Sequence, residues 1–393
     1  MVRIGLIGFG QQGKLYAAIL SGMPIPGMPP IPKPEDCVLT AISARNESCR
    51  EQIEALGAQY FQNWQDLVAS DACDAVVITV PHFAHHEIAI GALNAGKHVL
   101  CEKPMTVRAS DAEAILDAQQ ANPGTKLAMM LNQRANSLLQ RIKGIIDSGE
   151  LGAMRSSYYI SNRWWRPDSY YASNPWRGTW GGEGGGILVN QACHPLDLWI
   201  WLCGMPQAVF ARCREGAFRD ITVENDVTVL ARYPDGGQGV FITCSHDLLG
   251  TDRLEISFEK GKILLEENRK ATILRYSQPE GSFGQLCDFR TFQGMLMASP
   301  ERIYQKEELT SQAAFCEDYV QMFRNFAGYI LRGETPIVPA QAGLQQVQLA
   351  NAIQLSGWTG QEVTLPGDCE HYNRLLAQKI QEEHAYSAKE ELA

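Results

Sequence analysis

The chain has 393 residues, of which 45% are hydrophobic and 20% are charged, and its net charge at pH 7 is −10. This length exceeds that of one typical domain and predicts two. The negative charge argues against a nucleic-acid partner, because phosphate contacts need clustered Lys and Arg.

The eleven cysteines contain no CxxC pair, which predicts reduced thiols rather than a disulfide framework or a zinc site. The first residues lead directly into a strand, so we expect no signal peptide. No apolar run is long enough to span a bilayer. These features predict a cytoplasmic protein that does not enter a membrane.

The first motif is Gly8-Phe9-Gly10-Gln11-Gln12-Gly13, which lies between an apolar strand, Arg3–Ile7, and an apolar helix. A GxGxxG sequence in this context is the dinucleotide-binding pattern, because the glycines allow a tight turn and close approach of a pyrophosphate to the helix N-terminus. We assign these six residues to cofactor binding; the other interpretation is a Gly-rich turn without a ligand.

Further strands are predicted at 37–42, 58–61, 74–80, 98–101 and 127–131. They alternate with helices at 47–56, 64–69 and 85–95 and with one that opens at Ser110–Glu113, a predicted capping box. This alternation predicts a doubly wound parallel sheet. The Pro- and Gly-rich stretch from Met23 to Asp36 reads as a surface insertion.

The strand at 37–42 ends in Ser43-Ala44-Arg45, without the acid that usually grips the adenosine ribose. Ser43 and Arg45 are therefore candidates for binding a 2′-phosphate, which favours NADP over NAD. Arg45 stacked on adenine is the other interpretation and would suit NAD equally.

Three histidines follow the strand at 74–80, in the sequence Pro81-His82-Phe83-Ala84-His85-His86. They suggest a metal site, but no Cys or acid cluster completes a ligand set, so we assign no metal. We expect Val80, Pro81, His82 and His85 at the cofactor edge instead.

After a strand at 156–161, half of the tryptophans lie in one loop region, interleaved with arginines. Flat aromatic faces with polar groups between them suit a sugar ring. The candidate substrate-binding residues are Trp164, Arg166, Trp176 and Arg177. An aromatic interface patch is the alternative.

The triple glycine Gly184–Gly186 leads into an apolar run that carries Asn190, Gln191, His194 and Asp197. Helical spacing would place Asn190 and His194 on one face, with Asp197 near His194. Imidazole suits proton transfer to or from a hydroxyl, and Gln191 could orient the substrate. The alternative is a core helix with one satisfied histidine.

Strands are then predicted at 208–213, 226–233, 239–244, 254–259 and 262–266, followed by helices at 311–332 and 340–357. Together they predict an open, mostly antiparallel sheet. Such a sheet has a face and edges to cover, so we expect a homodimer or homotetramer.

Glu102-Lys103-Pro104, together with the glycine turn and residues 184–197, resembles the Gfo/Idh/MocA family (glucose–fructose oxidoreductase and inositol dehydrogenase) over nearly the whole chain. The resemblance implies an α/β protein with a Rossmann domain at residues 1–131. Residues 132–393 would form an α/β substrate-binding and oligomerisation domain with an open, mostly antiparallel sheet.

The resemblance also implies hydride transfer between NAD or NADP and a hydroxyl-bearing carbon of a sugar or glycoside, C3 of a pyranoside included. By position, Lys103 and His194 match the catalytic lysine and histidine, and Asn190 stands where other members carry an acid or amide. Glu102, Lys103 and Asn132 complete the cofactor-binding set, and the Lys103–Pro104 peptide is predicted to be cis.

Two other functions use the same residues. A redox-cycling glycoside hydrolase would oxidise the sugar, expel the aglycone by elimination and return the hydride. A non-catalytic dinucleotide-binding regulator would need neither Lys103 nor His194.

Overall fold

The computed structural model describes residues 1–24, 27, 29–312 and 314–390; of residue 286 and residues 385–390 it describes only the backbone. The predicted insertion at 23–36 falls partly outside these residues, at 25, 26 and 28. Residues 29–34 carry no regular secondary structure, as a surface insertion requires.

The first sheet has six parallel strands in the order β3-β2-β1-β4-β5-β6, the strand order of a Rossmann sheet. The strands are β1 (Val2–Ile7), β2 (Cys37–Ser43), β3 (Gln59–Phe61), β4 (Ala75–Ile78), β5 (His98–Cys101) and β6 (Leu127–Met129). All four residues of β4 are buried, because helices cover both faces of a parallel sheet.

Helices connect these strands. They are α1 (Gln11–Ser21), α2 (Arg50–Ala55), α3 (Trp64–Ala69), α4 (Ala84–Asn94) and α5 (Ala109–Ala121). The alternation predicted for the residues up to the end of β6 is confirmed.

The predicted capping box at Ser110–Glu113 is wrong. Helix α5 begins at Ala109, after Arg108, whose side chain makes no capping hydrogen bond. Asn351, distant in sequence, accepts a hydrogen bond from the Ala109 N–H at 2.9 Å and satisfies a donor that a local cap would otherwise take. The Ser110 hydroxyl instead accepts a hydrogen bond from Asn373 at 3.1 Å.

The second sheet has nine strands in the order β14-β13-β12-β11-β7-β10-β9-β8-β15. They are β7 (Met154–Ser161), β8 (Ala208–Glu215), β9 (Glu224–Arg232), β10 (Gln238–Cys244), β11 (Asp252–Phe258), β12 (Gly261–Glu266), β13 (Lys270–Tyr276), β14 (Tyr304–Thr310) and β15 (Val363–Thr364). Strands β7 and β10 pair in parallel, and the other recorded pairs of this sheet are antiparallel. The predicted open, mostly antiparallel sheet is confirmed.

The remaining helices are α6 (Ser137–Asp147), α7 (Asp168–Ala172), α8 (Cys193–Cys203), α9 (Glu280–Leu286), α10 (Phe289–Ala298), α11 (Glu317–Arg332), α12 (Ala340–Thr359) and α13 (Cys369–Glu390). Residues of α6, α8 and α12 pack against one face of the second sheet in a shared core. The opposite face leaves large apolar side chains exposed. Examples are Tyr158, Ile160, Phe210 and Leu230.

Helix α11 does not join the core of the second sheet. Its buried residues Val320, Phe323 and Phe326 belong to the core around the first sheet. The backbone of β6 also bonds to this part of the chain, since the Met129 N–H donates to the Val338 carbonyl at 3.1 Å. The chain therefore returns to its first sheet after β14 and later adds β15 to the second.

Candidate active site

The glycine turn joins β1 to α1 as the sequence predicts. Gly8 has a φ of +105°, and a Cβ there would lie 2.6 Å from the Thr79 carbonyl oxygen. A Cβ on Gly13 would lie 2.3 Å from the Gly8 carbonyl oxygen. A Cβ on Gly10 would meet no atom within 4 Å. Gly8 and Gly13 therefore serve the turn itself, and Gly10 leaves space in front of the α1 N-terminus that a dinucleotide pyrophosphate fits.

The end of β4 forms the next part of the site. His85 Nε2 lies 2.8 Å from the Val80 carbonyl oxygen and Nδ1 lies 2.9 Å from that of Pro104. His82 Nδ1 lies 3.0 Å from the Glu183 carbonyl oxygen. Burial lowers the pKa of His82 to about 3, so its ring is neutral near pH 7. Over the described part of the chain, no group of three His, Cys, Asp or Glu side chains could hold a metal ion.

Lys103 follows β5, and its peptide bond to Pro104 is cis, as predicted. The adjacent Glu102 carboxylate is buried and accepts hydrogen bonds from the Tyr16 hydroxyl and, at 3.0 Å, from the Lys103 N–H. Burial raises the pKa of Glu102. The Lys103 Nζ donates to the backbone oxygen of Asn190 at 2.8 Å and lies 3.3 Å from its Oδ1. The ammonium is therefore held against the segment that follows the triple glycine.

The triple glycine lies where the backbone packs most tightly. Gly184 and Gly185 have φ values of +83° and +149°, and a Cβ on Gly186 would lie 1.9 Å from the Glu224 backbone oxygen. The buried Glu224 carboxylate accepts from the Gly186 N–H at 3.0 Å and from the Leu188 N–H at 3.3 Å. Only glycine can accept this geometry. The resulting turn places Asn190 in contact with Lys103.

Asn190 and His194 do not share one helix. Residues 187–192 form turns, and α8 begins at Cys193. Asp197 lies in α8 together with His194, but its carboxylate forms a buried, bidentate ion pair with Arg134 at 2.6 and 2.8 Å. A buried carboxylate is stable only when a partner balances its charge, and Arg134 is that partner.

His194 has a buried Nδ1 without a hydrogen-bond partner among the described residues. Burial, reinforced by the charges of Lys103 and Arg163, lowers its pKa well below the usual value. The imidazole is therefore neutral near pH 7 and can receive a proton. Asn190 contacts Lys103 directly, and Gln191 shares the Tyr170 hydroxyl with Asn190.

A cleft of about 650 Å³ joins these features. It combines the glycine turn, the end of β4, Lys103 and the arginine-rich loop. Its lining residues are Gly10, Gln11, Gln12, Thr79, Val80, Pro81, His82, His85, Glu102, Lys103, Arg166, Tyr170, Ser173, Asn174, Trp176, Arg177 and Asn190. The structure thus brings cofactor and substrate candidates together in one space.

Nine other predicted site residues are not part of this lining. They are Gly8, Phe9, Gly13, Ser43, Arg45, Asn132, Trp164, Gln191 and His194. Ser43 is buried at the end of β2 and Arg45 is exposed beyond it, at the edge where an adenosine would lie. Asn132 opens a short 3₁₀ turn.

The four tryptophans of the loop have different surroundings. Trp176 lines the cleft, with its ring 5.8 Å from that of His82. Trp164 packs against the core of the second sheet, and Trp180 is 1% exposed. The exposed Trp165 is not part of the lining. The loop therefore offers one indole, not four, to a bound sugar.

Sequence reasoning missed Thr79, Tyr170, Ser173 and Asn174 of the lining, and it missed Glu183, which bonds to Asn190. The Tyr170 hydroxyl accepts from Gln191 Nε2 at 3.0 Å, from Asn190 Nδ2 at 3.3 Å and from Arg177. The Glu183 carboxylate accepts from Asn190 Nδ2 and, at 2.8 Å, from the Gly178 N–H. Glu183 precedes the triple glycine directly, and this position was the one available signal.

The C-terminal helix α13 contacts the loop that carries Trp176 and Arg177. The Trp180 and Gly181 N–H groups donate to the two carboxylate oxygens of Glu383 at 2.8 and 2.9 Å. Glu383 lies in α13, about two hundred residues away in sequence. The turn that carries Trp176 and Arg177 is therefore anchored to the end of the chain.

Two family models match the chain. The model for the NAD-binding Rossmann fold of an oxidoreductase family, Gfo/Idh/MocA, matches residues 2–129, and the model for the Gfo/Idh/MocA C-terminal domain matches residues 139–264. The chain belongs to the Gfo/Idh/MocA family. The expected fold class and family are confirmed.

This Gfo/Idh/MocA protein is 24% identical over 362 residues to the myo-inositol 2-dehydrogenase of Thermotoga maritima, a match that covers 90% of this chain and 96% of that one. It is 26% identical over 264 residues to the levoglucosan dehydrogenase of Pseudarthrobacter phenanthrenivorans, which covers 61% and 66% of the two chains.

The crystal structure of the WlbA dehydrogenase from Bordetella pertussis with NADH and UDP-GlcNAcA has a TM-score of 0.73 and 25% identity, covering 93% of this chain and 99% of that one. These three relatives are thus named as dehydrogenases, two of them of a polyol and a sugar, and the WlbA structure contains NADH. No helix over the described residues could span a membrane.

Proposed function

We propose that the protein is a dehydrogenase that moves a hydride between NAD or NADP and a hydroxyl-bearing carbon of a sugar, polyol or glycoside. The observation that carries this proposal is the position of the Lys103 ammonium. It lies in the same cleft as the open glycine turn, and two oxygens of Asn190 hold it. The names of the relatives support the substrate class.

The nicotinamide, when bound, supplies the hydride acceptor or donor. Gly10, Gln11 and Gln12 would hold its dinucleotide at the α1 N-terminus, with Val80, Pro81, His82 and His85 along the edge of the sheet. Phe9 and Asn132 would complete the cofactor-binding set, and Glu102 fixes the backbone next to Lys103.

Lys103 stabilises negative charge on the reacting oxygen, because an ammonium in a site shielded from water interacts with an alkoxide far more strongly than with an alcohol. His194 takes the hydroxyl proton as general base, which requires the neutral imidazole that burial favours. Asn190 orients the ammonium and does not titrate. Trp176 faces the sugar ring, while Arg166, Arg177 and Gln191 select its substituents, and Trp164 backs the loop.

A panel of free sugars, polyols and aryl glycosides tests the reaction. Each compound is followed both for nicotinamide absorbance at equilibrium and for aglycone release. Net cofactor reduction without aglycone release supports the dehydrogenase. Aglycone release without net reduction would favour the redox-cycling hydrolase, and no chemistry with intact cofactor binding would favour the regulator.

The cofactor preference within this proposal is for NADP. Arg45 and Ser43 stand at the end of β2, next to Ala44, where an acid would repel a 2′-phosphate. Arg45 is exposed and has a guanidinium that can bind a phosphate with charge-assisted hydrogen bonds.

The proposal also includes a homodimer or homotetramer in the cytoplasm. The uncovered face of the second sheet supports association, since Leu230 is 54% and Tyr158 49% exposed. All eleven cysteines are free, which suits a reducing compartment. Light scattering at micromolar concentration tests the oligomer, and a species of 43.5 kDa alone would contradict it.

A further inference from the structure

Four arginines belong to the loop after β7 or contact it, and they differ in their partners. Arg163 pairs with the buried Asp252 at 2.8 Å. Arg219 lies 3.7 Å from Asp168. Neither Arg166 nor Arg177 forms an ion pair with any carboxylate of the described residues. Only these last two line the cleft.

Arg166 and Arg177 also have unused donors. The Nε–H of each is buried and has no hydrogen-bond partner among the described residues. Arg166 uses one terminal nitrogen on the backbone oxygen of Trp165 at 3.0 Å, and Arg177 uses one on the Tyr170 hydroxyl. A buried donor without a partner costs free energy. A guanidinium has five N–H donors in total, so each arginine retains donors for a further partner.

One aromatic ring positions both arginines. The guanidinium carbons of Arg166 and Arg177 lie 4.9 and 4.3 Å from the centroid of the Tyr170 ring. Ring contacts of this kind hold a cation without neutralising its charge. The cleft therefore contains two guanidinium groups fixed next to the same side chain.

The carboxylates of this region do not neutralise the pair. Glu183 is bound to the Gly178 N–H at 2.8 Å and to the Asn190 amide, and it forms no ion pair with either arginine. Glu102 is occupied by Tyr16 and by the Lys103 N–H. With Lys103 included, the cleft presents more cationic than anionic side chains.

We propose that Arg166 and Arg177 bind an anionic substituent of the substrate, so that the substrate is a sugar acid, a sugar phosphate or a sugar carried on a phosphate rather than a neutral polyol. This inference rests on the proposed function of the cleft and names its substrate class. Carboxylate and phosphate groups each present two negatively charged oxygens, which a guanidinium binds through paired hydrogen bonds.

The test uses matched pairs of sugars that differ in charge. D-glucuronate is compared with D-glucuronamide, and D-glucose 6-phosphate with D-glucose. For each compound kcat/KM is measured with saturating cofactor, and binding is measured separately by the change in fluorescence of enzyme-bound NADH. Because binding does not depend on turnover, the binding measurement tests the anion site and the kinetic measurement tests the dehydrogenase.

For at least one pair, the wild type should have a kcat/KM about 10- to 100-fold higher for the anion than for the neutral sugar. This is the effect expected of a hydrogen bond to a charged group. Added salt should reduce this preference, because it screens the attraction. Arg166→Gln and Arg177→Gln should each bring the preference close to one. Arg155→Gln removes the same charge from an exposed pair with Glu259 and should retain the preference. Circular dichroism melting curves identify any variant that is not folded.

Several results would overturn the inference. Faster turnover of the neutral member of both pairs, or a preference that survives in both cleft variants, contradicts it and leaves the dehydrogenase intact. Weaker NADH binding in the variants with an unchanged preference would assign the arginines to the cofactor phosphates. Anion binding that the variants lose, without turnover of any sugar, supports the anion site and contradicts the dehydrogenase. If no compound binds and none is turned over, both the anion site and the dehydrogenase are contradicted.

Discussion

The two walls of the cleft are built in different ways. The wall from the first sheet is made of short runs of consecutive residues after β1, β4 and β5, and the shape of its first turn follows from glycines at fixed spacing, such as Gly8 with a φ of +105°. The opposite wall is assembled from distant segments. Its Asn190 meets Lys103 across 87 positions, and its Trp180 turn is held by Glu383 across 203. The first wall depends on backbone geometry, and the second on side chains and charge.

The largest expected effect separates chemistry from cofactor binding. Lys103→Ala should lower turnover by about 10²–10³, because it removes the cation that stabilises the developing alkoxide. The cofactor dissociation constant should change little, since the glycine turn is untouched. Steady-state kinetics and NADH fluorescence measure the two quantities. A variant that keeps more than about a tenth of wild-type turnover would show that Lys103 is not the catalytic cation.

A glycine pair probes the backbone wall. Gly8→Ala should destabilise the protein by about 1–3 kcal/mol or more, because its φ is unfavourable for alanine and its Cβ would lie 2.6 Å from the Thr79 oxygen. Gly10→Ala is the matched control, since its Cβ meets no atom within 4 Å. That control should keep its stability and lose cofactor affinity. Chemical denaturation and cofactor titration distinguish them, and equal stabilities would contradict the assignment.

The end of β2 tests cofactor choice. Arg45→Ala should weaken NADP binding by about tenfold, the effect of losing one exposed, charge-assisted contact to phosphate. The NAD dissociation constant should remain the same, which serves as the internal control. If NADP affinity is unchanged, or if NAD affinity falls equally, Arg45 does not read the 2′-phosphate.

A smaller effect concerns the pH dependence of stability. Burial raises the pKa of Glu224 to about 8 in the folded protein, from an ordinary value of 4.5. Its contribution is therefore fully present below about pH 4.5 and is lost as the pH rises through about 8. Glu224→Gln should keep the hydrogen bonds from Gly186 and Leu188 and remove this dependence. The difference in unfolding free energy between wild type and variant should fall by up to about 3–5 kcal/mol between pH 5 and pH 9; a constant difference would contradict it.

The last effect is a shift of a pH profile. Because burial and neighbouring cations lower the pKa of His194, the base stays neutral below pH 6.5, where an ordinary histidine gains a proton. The acid limb of kcat/KM should therefore lie below pH 6.5, and His194→Ala should abolish it. A limb at the ordinary histidine value would place a different base in the site.

The sequence predicted the first wall well because its signals are local. A strand, a glycine turn and an apolar helix follow one another within about twenty residues, and β4 and β5 read as buried runs. The predicted sheet classes followed from alternation in the same way.

The errors came from long-range contacts, which leave no mark at the residues concerned. Asp197 lies in α8 with His194, but its carboxylate pairs with Arg134, 63 positions away, which the local spacing did not indicate. Ser110 was expected to cap α5, but Asn351 replaces that cap from 242 positions away. Tyr170 lies in a short helix without a motif, so its three donors could not be foreseen.

The return of α11 to the first sheet has a consequence for biosynthesis. Tyr16, whose hydroxyl binds Glu102, packs its ring against Tyr319 at 5.5 Å and Phe323 at 5.3 Å. A ribosome must therefore make more than three quarters of the chain before the support of Glu102 is complete. We expect that a nascent chain truncated before α11 exposes this apolar surface, and that a cell which interrupts translation there produces a substrate for chaperones rather than a small dinucleotide-binding protein.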